Sequence, residues 1–558
     1  MTTNEVHALG DELVDVLFTA EPLEATLYGV PGYDERLGDP SEAGEQAIAD
    51  RAASIAERAA AIDPSTLDAE DAVTRAVIEQ QALARVDAHH TRFIEYTITG
   101  LFISPAAQLL SALPLFALSD RDRAEAYLTR LAAIPEYLAA VAERHRGGVA
   151  AGRLPVRRLV DSAITLIDRY LANPAADPLL RQELPTEALA AERERVVTGT
   201  VRPAFAAYRT VLAEEILEHG RDDDHPGACF LPEGADVYTR LSTIHTTTAR
   251  TPEDLHQTGL DIIAALREEF AEIGSRVFGL TDRQEIFRRM STDPALRWTD
   301  GDELLAAAMR AIERAEQESP RWFGRLPGQQ CKVEPVPAAE APSAPAAYYM
   351  IPSMDGTRPG IYFANTYQAE QRDRFTSEVI AFHEAVPGHH FQLSLAQELT
   401  HLPLVRRVTP VSAYAEGWGL YTERLADEMG LYSGDLDRLG MLAMDSLRAG
   451  RLVVDTGLHA KGWTRQQAVD YLKQNTPLSD LEIGSEVDRY IGFIGQALSY
   501  MVGRLEIQRL RRTAEDRLGE AFDIRSFHDV LLGSGSLALS VLEGVVNDWA
   551  TARLGPNR

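Results

Sequence analysis

The chain has 558 residues, 45% of them hydrophobic and 25% charged, and its 55 basic and 84 acidic side chains give a formal net charge of −29. This composition is that of a globular protein and excludes intrinsic disorder and fibrous folds, while the acidic surplus argues against broad binding to nucleic-acid phosphates. Two cysteines, Cys229 and Cys331, are too few for a disulfide framework or a four-thiolate zinc module.

The first residues lack the pattern of an export signal. Acidic side chains stand where a signal peptide needs a basic head and an unbroken apolar run: Glu5, Asp11, Glu12 and Asp15. The sequence contains no stretch of 18 uncharged apolar residues, so no transmembrane helix is expected. We therefore expect a cytoplasmic protein that binds neither membranes nor nucleic acids, and the sequence leaves its oligomeric state open.

Residues 1–220 are predicted to form an N-terminal helical region. They contain long segments rich in Ala, Leu, Arg and Glu, in which apolar residues recur at three- and four-residue spacing. Pro and Gly fall between these segments and separate them. The predicted helices include 44–62, 68–89, 120–147 and 155–172.

Residues 221–558 are predicted to form a second region, which is also mostly helical. A Thr251-Pro252 start and a Thr464-x-x-Gln467 capping box mark two helix N-termini. The predicted helices include 252–275, 281–291, 300–317, 440–460 and 464–474.

One part of this region has a different composition. Within residues 331–366, the pieces 346–352 and 359–366 have the composition of strands and flank a turn signal at Asp355-Gly356. From 373 onward the helical pattern resumes. The sequence therefore predicts a mainly α fold with one small β-sheet beside the helices of about 373–426.

Three of the 14 histidines fall within Phe-His-Glu-Ala-Val-Pro-Gly-His-His-Phe-Gln at 382–392. In zinc peptidases the motif H-E-x-x-H puts two imidazoles on one helix face, and its Glu is the general base for a metal-bound water. His383 and Glu384 match the first half of this motif. The fourth residue after His383 is Pro387, so a second histidine ligand must come from beyond the Pro-Gly pair.

His389 and His390 are the candidates for that second ligand. Seven residues of ideal helix return His390 to within about 20° of His383 but separate the two by about 10.5 Å. Nitrogens that share a zinc ion at about 2.0–2.1 Å lie within roughly 3.5 Å of each other. Pro387 cannot continue a regular helix and Gly388 tolerates unusual torsions. A two-residue bulge at this pair would bring His389 to the place of the second histidine, so the spacing favours His389.

A catalytic zinc ion needs a third protein ligand and an open position for water. Glu416 follows His389 by 27 residues, which is enough for a helix end, a loop and a returning helix. Gly417 is expected to let these two helices approach closely. Glu423 lies on the same helix face as Glu416 and is expected either to hydrogen-bond a ligand histidine or to be a solvated carboxylate.

Four segments resemble the bacterial family called domain of unknown function 885: FHEAVPGHHFQ, AYAEGWGLY, RLVVDTGLH with its following GW, and GQALSYMVG. That family is grouped with the gluzincin metallopeptidases and is similar to thimet oligopeptidase and neurolysin in its helical fold. The resemblance spans most of the chain. It implies a general base at Glu384 and three zinc ligands: His383, His389 and Glu416. The chain departs from the family at Ile494, where a Pro usually precedes Gly-Gln.

Two residues are candidates for stabilising the oxyanion of a hydrolysed carbonyl. Tyr500 resembles the tyrosine that related oligopeptidases bring to the carbonyl oxygen from a late helix; the alternative is a core tyrosine near Gly503. His459 shares a helix face with Arg451 and Asp455, which suggests a donor oriented by Asp455. The alternative for this polar row is a buried, salt-bridged layer.

Four residues are predicted to bind substrate. Arg448 and Arg451 are candidates for holding the C-terminal carboxylate of a substrate. The strand that precedes the zinc-binding helix carries Tyr362 and Asn365. In gluzincins such an edge strand pairs with the extended substrate, so both are candidates for substrate contacts.

These residues predict a zinc metallopeptidase in which Glu384 takes a proton from water and passes it to the leaving amine. The helical fold implied by the resemblance indicates short peptides as substrates. Two alternatives stay open: a metal-dependent amidase that acts on a single metabolite, and a zinc-containing binding protein without turnover.

Overall fold

The computed structural model describes residues 3–337, 341 and 344–555; residues 338–340 and 342–343, just before the predicted strands, lie outside it. The described chain is mainly helical, with one three-stranded sheet. Among the described residues, no helix combines the length and the apolarity that crossing a membrane requires. The helices are α1 Thr3–Ala20, α2 Pro22–Tyr28, α3 Glu42–Ala61, α4 Ala69–Thr91, α5 Pro105–Ala112, α6 Arg121–Ala150, α7 Arg157–Ala172, α8 Glu187–Val196, α9 Arg202–Val211, α10 Gly234–Thr246, α11 Pro252–Phe278, α12 Arg283–Thr292, α13 Gly301–Glu318, α14 Ser377–Glu384, α15 His389–Glu398, α16 Leu404–Val408, α17 Ser412–Glu428, α18 Asp435–His459, α19 Arg465–Asn475, α20 Asp480–Gly492, α21 Leu498–Leu518, α22 Ile524–Gly533 and α23 Leu539–Leu554.

The helices predicted from apolar spacing are present, and the largest shift of a helix end is that of α18, which begins at Asp435. Side-chain caps explain why the starts are well predicted. The Thr251 side chain accepts a hydrogen bond from the Asp254 amide at the start of α11. Thr464 and Gln467 form the reciprocal capping box at the start of α19. The mainly α prediction is confirmed.

The sheet has the strands β1 Lys332–Pro335, β2 Ala347–Met350 and β3 Ile361–Ala364, in the order β1-β3-β2. β2 and β3 pair antiparallel, as predicted, although the loop between them is longer than a two-residue hairpin. β1 was not predicted and pairs parallel to β3, because a four-residue strand that ends in Pro gives a weak signal. As a result, β3 is the central strand of the sheet and has no free edge.

The largest hydrophobic cluster surrounds α11, α14, α17, α18 and α21, and it therefore encloses the helices of the predicted metal site. A second cluster is built from residues 23–217 alone. Two further clusters join the predicted regions, since α1, α3 and α4 pack on α16 and α7 packs on α18, α19 and α20. The division at residue 220 remains a prediction, and apolar packing crosses it at both of these places.

Candidate metal centre

The segment with three histidines forms two helices with a sharp break between them. α14 ends at Glu384 and α15 begins at His389, and the Val386–Pro387 peptide bond between them is cis. The Pro387 carbonyl oxygen accepts a hydrogen bond from Nε1 of Trp418 at 2.9 Å. The predicted bulge is thus a complete break, which α17 helps to hold, and His389 becomes the first residue of a new helix.

Glycines leave the space that His383 occupies. A Cβ on Gly388 would lie 1.8 Å from the His383 carbonyl oxygen, and a Cβ on Gly419 would lie 2.7 Å from the His383 ring. The expected role of Gly417 is corrected here. A Cβ on Gly417 would lie 2.5 Å from the backbone of Gly503, so Gly417 allows α17 to approach α21, whereas Gly419 allows it to approach α14.

His383, His389 and Glu416 converge on one point. Oε2 of Glu416 lies 3.6 Å from Nε2 of His383 and 3.4 Å from Nε2 of His389. One ligand atom from each of the three side chains lies within 4.8 Å of the others. Two ligands at about 2.0–2.1 Å from one tetrahedral zinc ion are roughly 3.4 Å apart. The spacing therefore fits a shared ion, although the role of the three residues as metal ligands remains a prediction.

His390 faces away from this group. Its Nε2 lies 2.9 Å from the Gln329 carbonyl oxygen and its Nδ1 lies 3.0 Å from the hydroxyl of Tyr349 on β2. The side chain is fully buried. Because neighbouring residues of a helix project about 100° apart, only one of the two consecutive histidines can face His383, and the structure places His389 there.

A second carboxylate lies behind the His383 ring. Oε1 of Glu423 is 2.8 Å from Nδ1 of His383, and Glu423 is 2% exposed. It is therefore not the solvated carboxylate that was the alternative. Burial alone would lower the pKa of His383, but hydrogen bonds to Glu416 and Glu423 outweigh burial and raise that pKa to about 10. Burial likewise opposes ionisation of Glu416, yet hydrogen bonds from the two histidines hold its pKa well below its usual value.

This donor set suits a divalent cation. Two imidazoles and two carboxylates lie close together here. A proton on His383 balances part of the negative charge of the carboxylates, and a bound metal ion would balance that charge instead. Nδ1 of His389 is enclosed and has no hydrogen-bond partner among the described residues. Imidazole nitrogens with one carboxylate oxygen are the ligands that catalytic zinc sites use.

Glu384 and Tyr500 lie beside His383. Glu384 is the last residue of α14, is partly exposed, and forms no hydrogen bond or ion pair with the described residues. The Tyr500 ring is nearly parallel to the His383 ring, at 21° and 6.3 Å between centroids. The Tyr500 hydroxyl accepts a hydrogen bond from Arg489 at 3.2 Å, which leaves its own proton free to be donated.

Arg448 and Arg451 of α18 lie against the Tyr500 ring, with their guanidinium carbons 5.1 and 4.5 Å from the ring centroid. Both are nearly buried. The two differ in their partners, because Arg451 forms an ion pair with Glu486 at 2.7 Å and Arg448 forms none with the described residues. The structure thus brings both predicted arginines to the neighbourhood of His383.

The structure does not support His459 as an oxyanion donor. Its Nδ1 accepts a hydrogen bond from the Ala228 amide at 3.0 Å, and its Nε2 lies 3.0 Å from the Tyr490 carbonyl oxygen. Both nitrogens are occupied in a fully buried ring, which leaves no N–H for a substrate. Asp455 does not orient it either, because its oxygens accept from Tyr238 and from the Gly495 amide.

The predicted substrate contacts of Tyr362 and Asn365 rested on an exposed strand edge, and this premise is wrong. Tyr362 lies in the central strand β3 and is 3% exposed. Asn365 is fully buried, and its amide nitrogen lies 2.8–3.0 Å from three backbone carbonyl oxygens: those of Ala341, Ala344 and Pro345. Asn365 therefore anchors the preceding loop. Burial raises the pKa of Tyr362, and the nearby Glu384 carboxylate adds to this rise.

Sequence reasoning missed three residues that shape the site: Trp418, Gly419 and Arg489. Trp418 and Gly419 follow Glu416 and Gly417 on α17, and the alternation of small and large residues there was the available signal of close helix packing. Arg489 lies three residues after Glu486 on α20, and this charged pair within an apolar helix face was the available signal.

Comparison with known proteins gives one family and similar solved structures. A crystal structure of a protein from Colwellia psychrerythraea, described as a putative lipoprotein, has 27% sequence identity and a TM-score of 0.90, with 99% of each chain covered. A structure from Shewanella oneidensis, described as a putative lipoprotein of unknown function, has 18% identity and a TM-score of 0.74, with 97% of this chain and 99% of that chain covered. No curated protein matches the chain.

The family model for bacterial proteins of unknown function, DUF885, matches residues 22–546. The match covers all of the helices that carry the candidate metal ligands and nearly all of the chain. The resemblance expected from the sequence motifs is thereby confirmed at the level of the family. This chain belongs to the DUF885 family of bacterial proteins.

Proposed function

We propose that the protein is a zinc-dependent peptidase that hydrolyses short peptides. The observation that carries this proposal is the convergence of two imidazole nitrogens and one carboxylate oxygen at 3.4–3.6 Å across a helix break. His383, His389 and Glu416 would hold the ion, and Glu423 would orient His383. A bound zinc ion supplies Lewis-acid polarisation of a carbonyl group and lowers the pKa of water.

The chain's own residues supply the proton transfers. Glu384 has an unpaired, partly exposed carboxylate directly after His383, so it accepts a proton from the attacking water and passes it to the leaving amine. The Tyr500 hydroxyl donates a hydrogen bond to the carbonyl oxygen as negative charge develops there. Arg489 donates a hydrogen bond to the phenolic oxygen of Tyr500. The hydroxyl proton of Tyr500 is therefore free to be donated to another acceptor.

We also propose that the fold is related to that of gluzincins such as thimet oligopeptidase and neurolysin. Support comes from the order of the chemical groups: a His-Glu pair at a helix end, a second histidine after a break, and a glutamate on a later helix. The mainly helical architecture with a small sheet beside the first histidine is consistent with this relationship.

Hydrolysis of a peptide library, followed by mass spectrometry with and without a chelator, tests this function. Parent protein, Glu384→Gln and the exposed control Glu398→Gln are compared, and zinc is measured in each by elemental analysis. We expect one zinc ion per chain in all three and a loss of about 10²–10⁴-fold in rate for Glu384→Gln alone. Zinc without any turnover would favour a binding protein, and absence of stoichiometric zinc would contradict the proposal.

We propose the cytoplasm as the location. Cys229 and Cys331 are free thiols, which a reducing compartment maintains. The alternative is an envelope location, in line with the description of the two similar structures as lipoproteins. Fractionation of the producing bacterium distinguishes the two, and recovery of the protein with membranes or periplasm would contradict the proposal.

A further inference from the structure

Three arginines surround the ring of Tyr500 beside the metal centre. The guanidinium carbons of Arg448, Arg451 and Arg489 lie 5.1, 4.5 and 5.9 Å from the ring centroid. One carboxylate, Glu486, is paired with this group, at 2.7 Å from Arg451 and 3.6 Å from Arg489. Three guanidiniums with one carboxylate leave two positive charges uncompensated, in a chain whose net charge is −29.

Arg448 is the member of this group that lacks a partner. It is 8% exposed and forms no hydrogen bond or ion pair with the residues that the structure describes, and its Nε is enclosed without an acceptor. A nearly buried guanidinium without a counter-charge is costly. Proteins accept this cost where an external anion completes the site.

The acids of α18 nearest to Arg448 in sequence do not provide this anion. Asp445 is paired with two other arginines, Arg424 and Arg504. Asp455 accepts hydrogen bonds from the Tyr238 hydroxyl and the Gly495 amide. The guanidinium of Arg448 therefore remains available to a ligand.

The position of Arg448 relative to His383 limits what the ligand is. The Tyr500 ring lies 6.3 Å from the His383 ring and 5.1 Å from the Arg448 guanidinium. Together these distances keep the guanidinium within at most about 11 Å of the His383 ring. Three residues of extended chain at about 3.3–3.6 Å each would fill this whole span, so fewer than three residues separate the two groups. A peptide whose cleaved carbonyl lies at the metal centre can therefore place its chain end at Arg448.

We propose that Arg448 binds the free C-terminal carboxylate of the substrate, one or two residues beyond the cleaved bond, and that Arg451 and Arg489 strengthen its attraction. Planar guanidinium and carboxylate groups match in a bidentate pair. This inference rests on the proposed peptidase function and specifies it further: the protein removes one or two residues from the C-terminus of peptides and does not cut within long chains.

Equilibrium binding tests the inference separately from turnover. Zinc-loaded full-length protein carrying Glu384→Gln, which prevents hydrolysis, is incubated with a pool of N-acetylated tripeptides as free acids or as C-terminal amides. Peptides retained after ultrafiltration are quantified by mass spectrometry. We expect the acids to be retained at least tenfold more strongly than the amides, since a charge-assisted pair is worth that much or more.

Three variants locate the effect. Arg448→Met keeps an unbranched, flexible stem and removes the charge, so it should abolish the preference for acids. Arg448→Lys restores the charge without the bidentate geometry and should restore part of the preference. The control Arg283→Met removes a half-buried guanidinium from a separate cavity lined by Leu260, Ile263 and Tyr471 and should leave the preference unchanged.

Equal retention of acids and amides, or retention of neither, would overturn the inference. An amide whose last residue is Glu, retained as strongly as the free acids, would also overturn it, because the anion would then be a side chain. The outcome is separable from that of the proposed function. If the parent protein cleaves amidated and free peptides equally, the proposed peptidase function is retained and the carboxylate site is rejected. If acids are retained and nothing is cleaved, the carboxylate site is retained and the peptidase function is rejected.

Discussion

Replacing Glu423 by Gln keeps the shape of a buried side chain and removes its charge. Oε1 of Glu423 lies 2.8 Å from Nδ1 of His383, and a charge-assisted hydrogen bond is worth about 1 kcal/mol more than a neutral one. Oε2 has no hydrogen-bond partner among the described residues, so the amide group of Gln would place N–H donors where the structure offers no acceptor. We therefore expect Glu423→Gln to weaken zinc binding by about 10–100-fold.

Competition with a chromogenic chelator at fixed pH measures this loss. The matched control is Glu428→Gln on the same helix, because Glu428 is exposed and pairs with Arg511 at the surface. The control should change zinc affinity by less than about twofold, as exposed ion pairs contribute little. Thermal melting of both metal-free variants shows whether the fold is retained.

An unchanged zinc affinity in Glu423→Gln, with the fold intact, would refute the reasoning that Glu423 orients a ligand histidine. Equal losses in Glu423→Gln and Glu428→Gln would refute it as well, because they would indicate an effect of overall charge. A loss confined to Glu423→Gln supports it if the metal-free protein still melts in one cooperative transition. The melting temperature of that variant is itself expected to fall, since the substitution also removes the buried charge next to His383.

Three other experiments test the site and its surroundings. Gly419→Ala should weaken zinc binding at least tenfold, because its Cβ would lie 2.7 Å from the His383 ring; chelator competition checks this. Elemental analysis should find zinc lost from His389→Ala and retained in His390→Ala, and the opposite result would reverse the choice of ligand. Burial raises the pKa of Asp455 to about 7, so its native state holds a proton that the unfolded chain releases above about pH 4. The stability due to this protonated group is full below about pH 4 and is lost as the pH rises through about 7, so the melting temperature of the parent relative to Asp455→Asn should fall from about pH 5 to about pH 8.

The convergence of the metal-site residues could be anticipated from the sequence because local chemistry determines it. His383 and Glu384 share one helix end, and the Pro-Gly pair leaves few ways for the chain to continue. Pro387 ends the hydrogen-bonding of α14, and Gly388 permits the close contact through which a new helix starts at His389. Helix geometry then allows only one of the two consecutive histidines to face His383, and a chain break of this length favours His389.

The roles of His459 and Asn365 could not be anticipated in this way. Both are satisfied by backbone groups far away in sequence: the Ala228 amide and the Tyr490 carbonyl oxygen for His459, and a loop of carbonyl oxygens for Asn365. Side-chain periodicity shows which residues share a face but carries no information on backbone partners. The central place of β3 depends likewise on β1, which lies about 30 residues earlier and has a weak strand signal of its own.

Arg448 and Arg451 show how such distant pairing affects function. They are three residues apart on α18 and contact the same tyrosine ring. The local sequence therefore does not indicate which of the two binds a carboxylate. Glu486 of α20 distinguishes them, because it forms an ion pair with Arg451 and leaves Arg448 without a counter-charge. The helix that supplies one carboxylate thus determines which guanidinium stays free. If substrate preference depends on that unpaired charge, removing the carboxylate of Glu486 should leave Arg451 unpaired as well. Arg451 could then also bind a substrate carboxylate, although neither arginine has been altered.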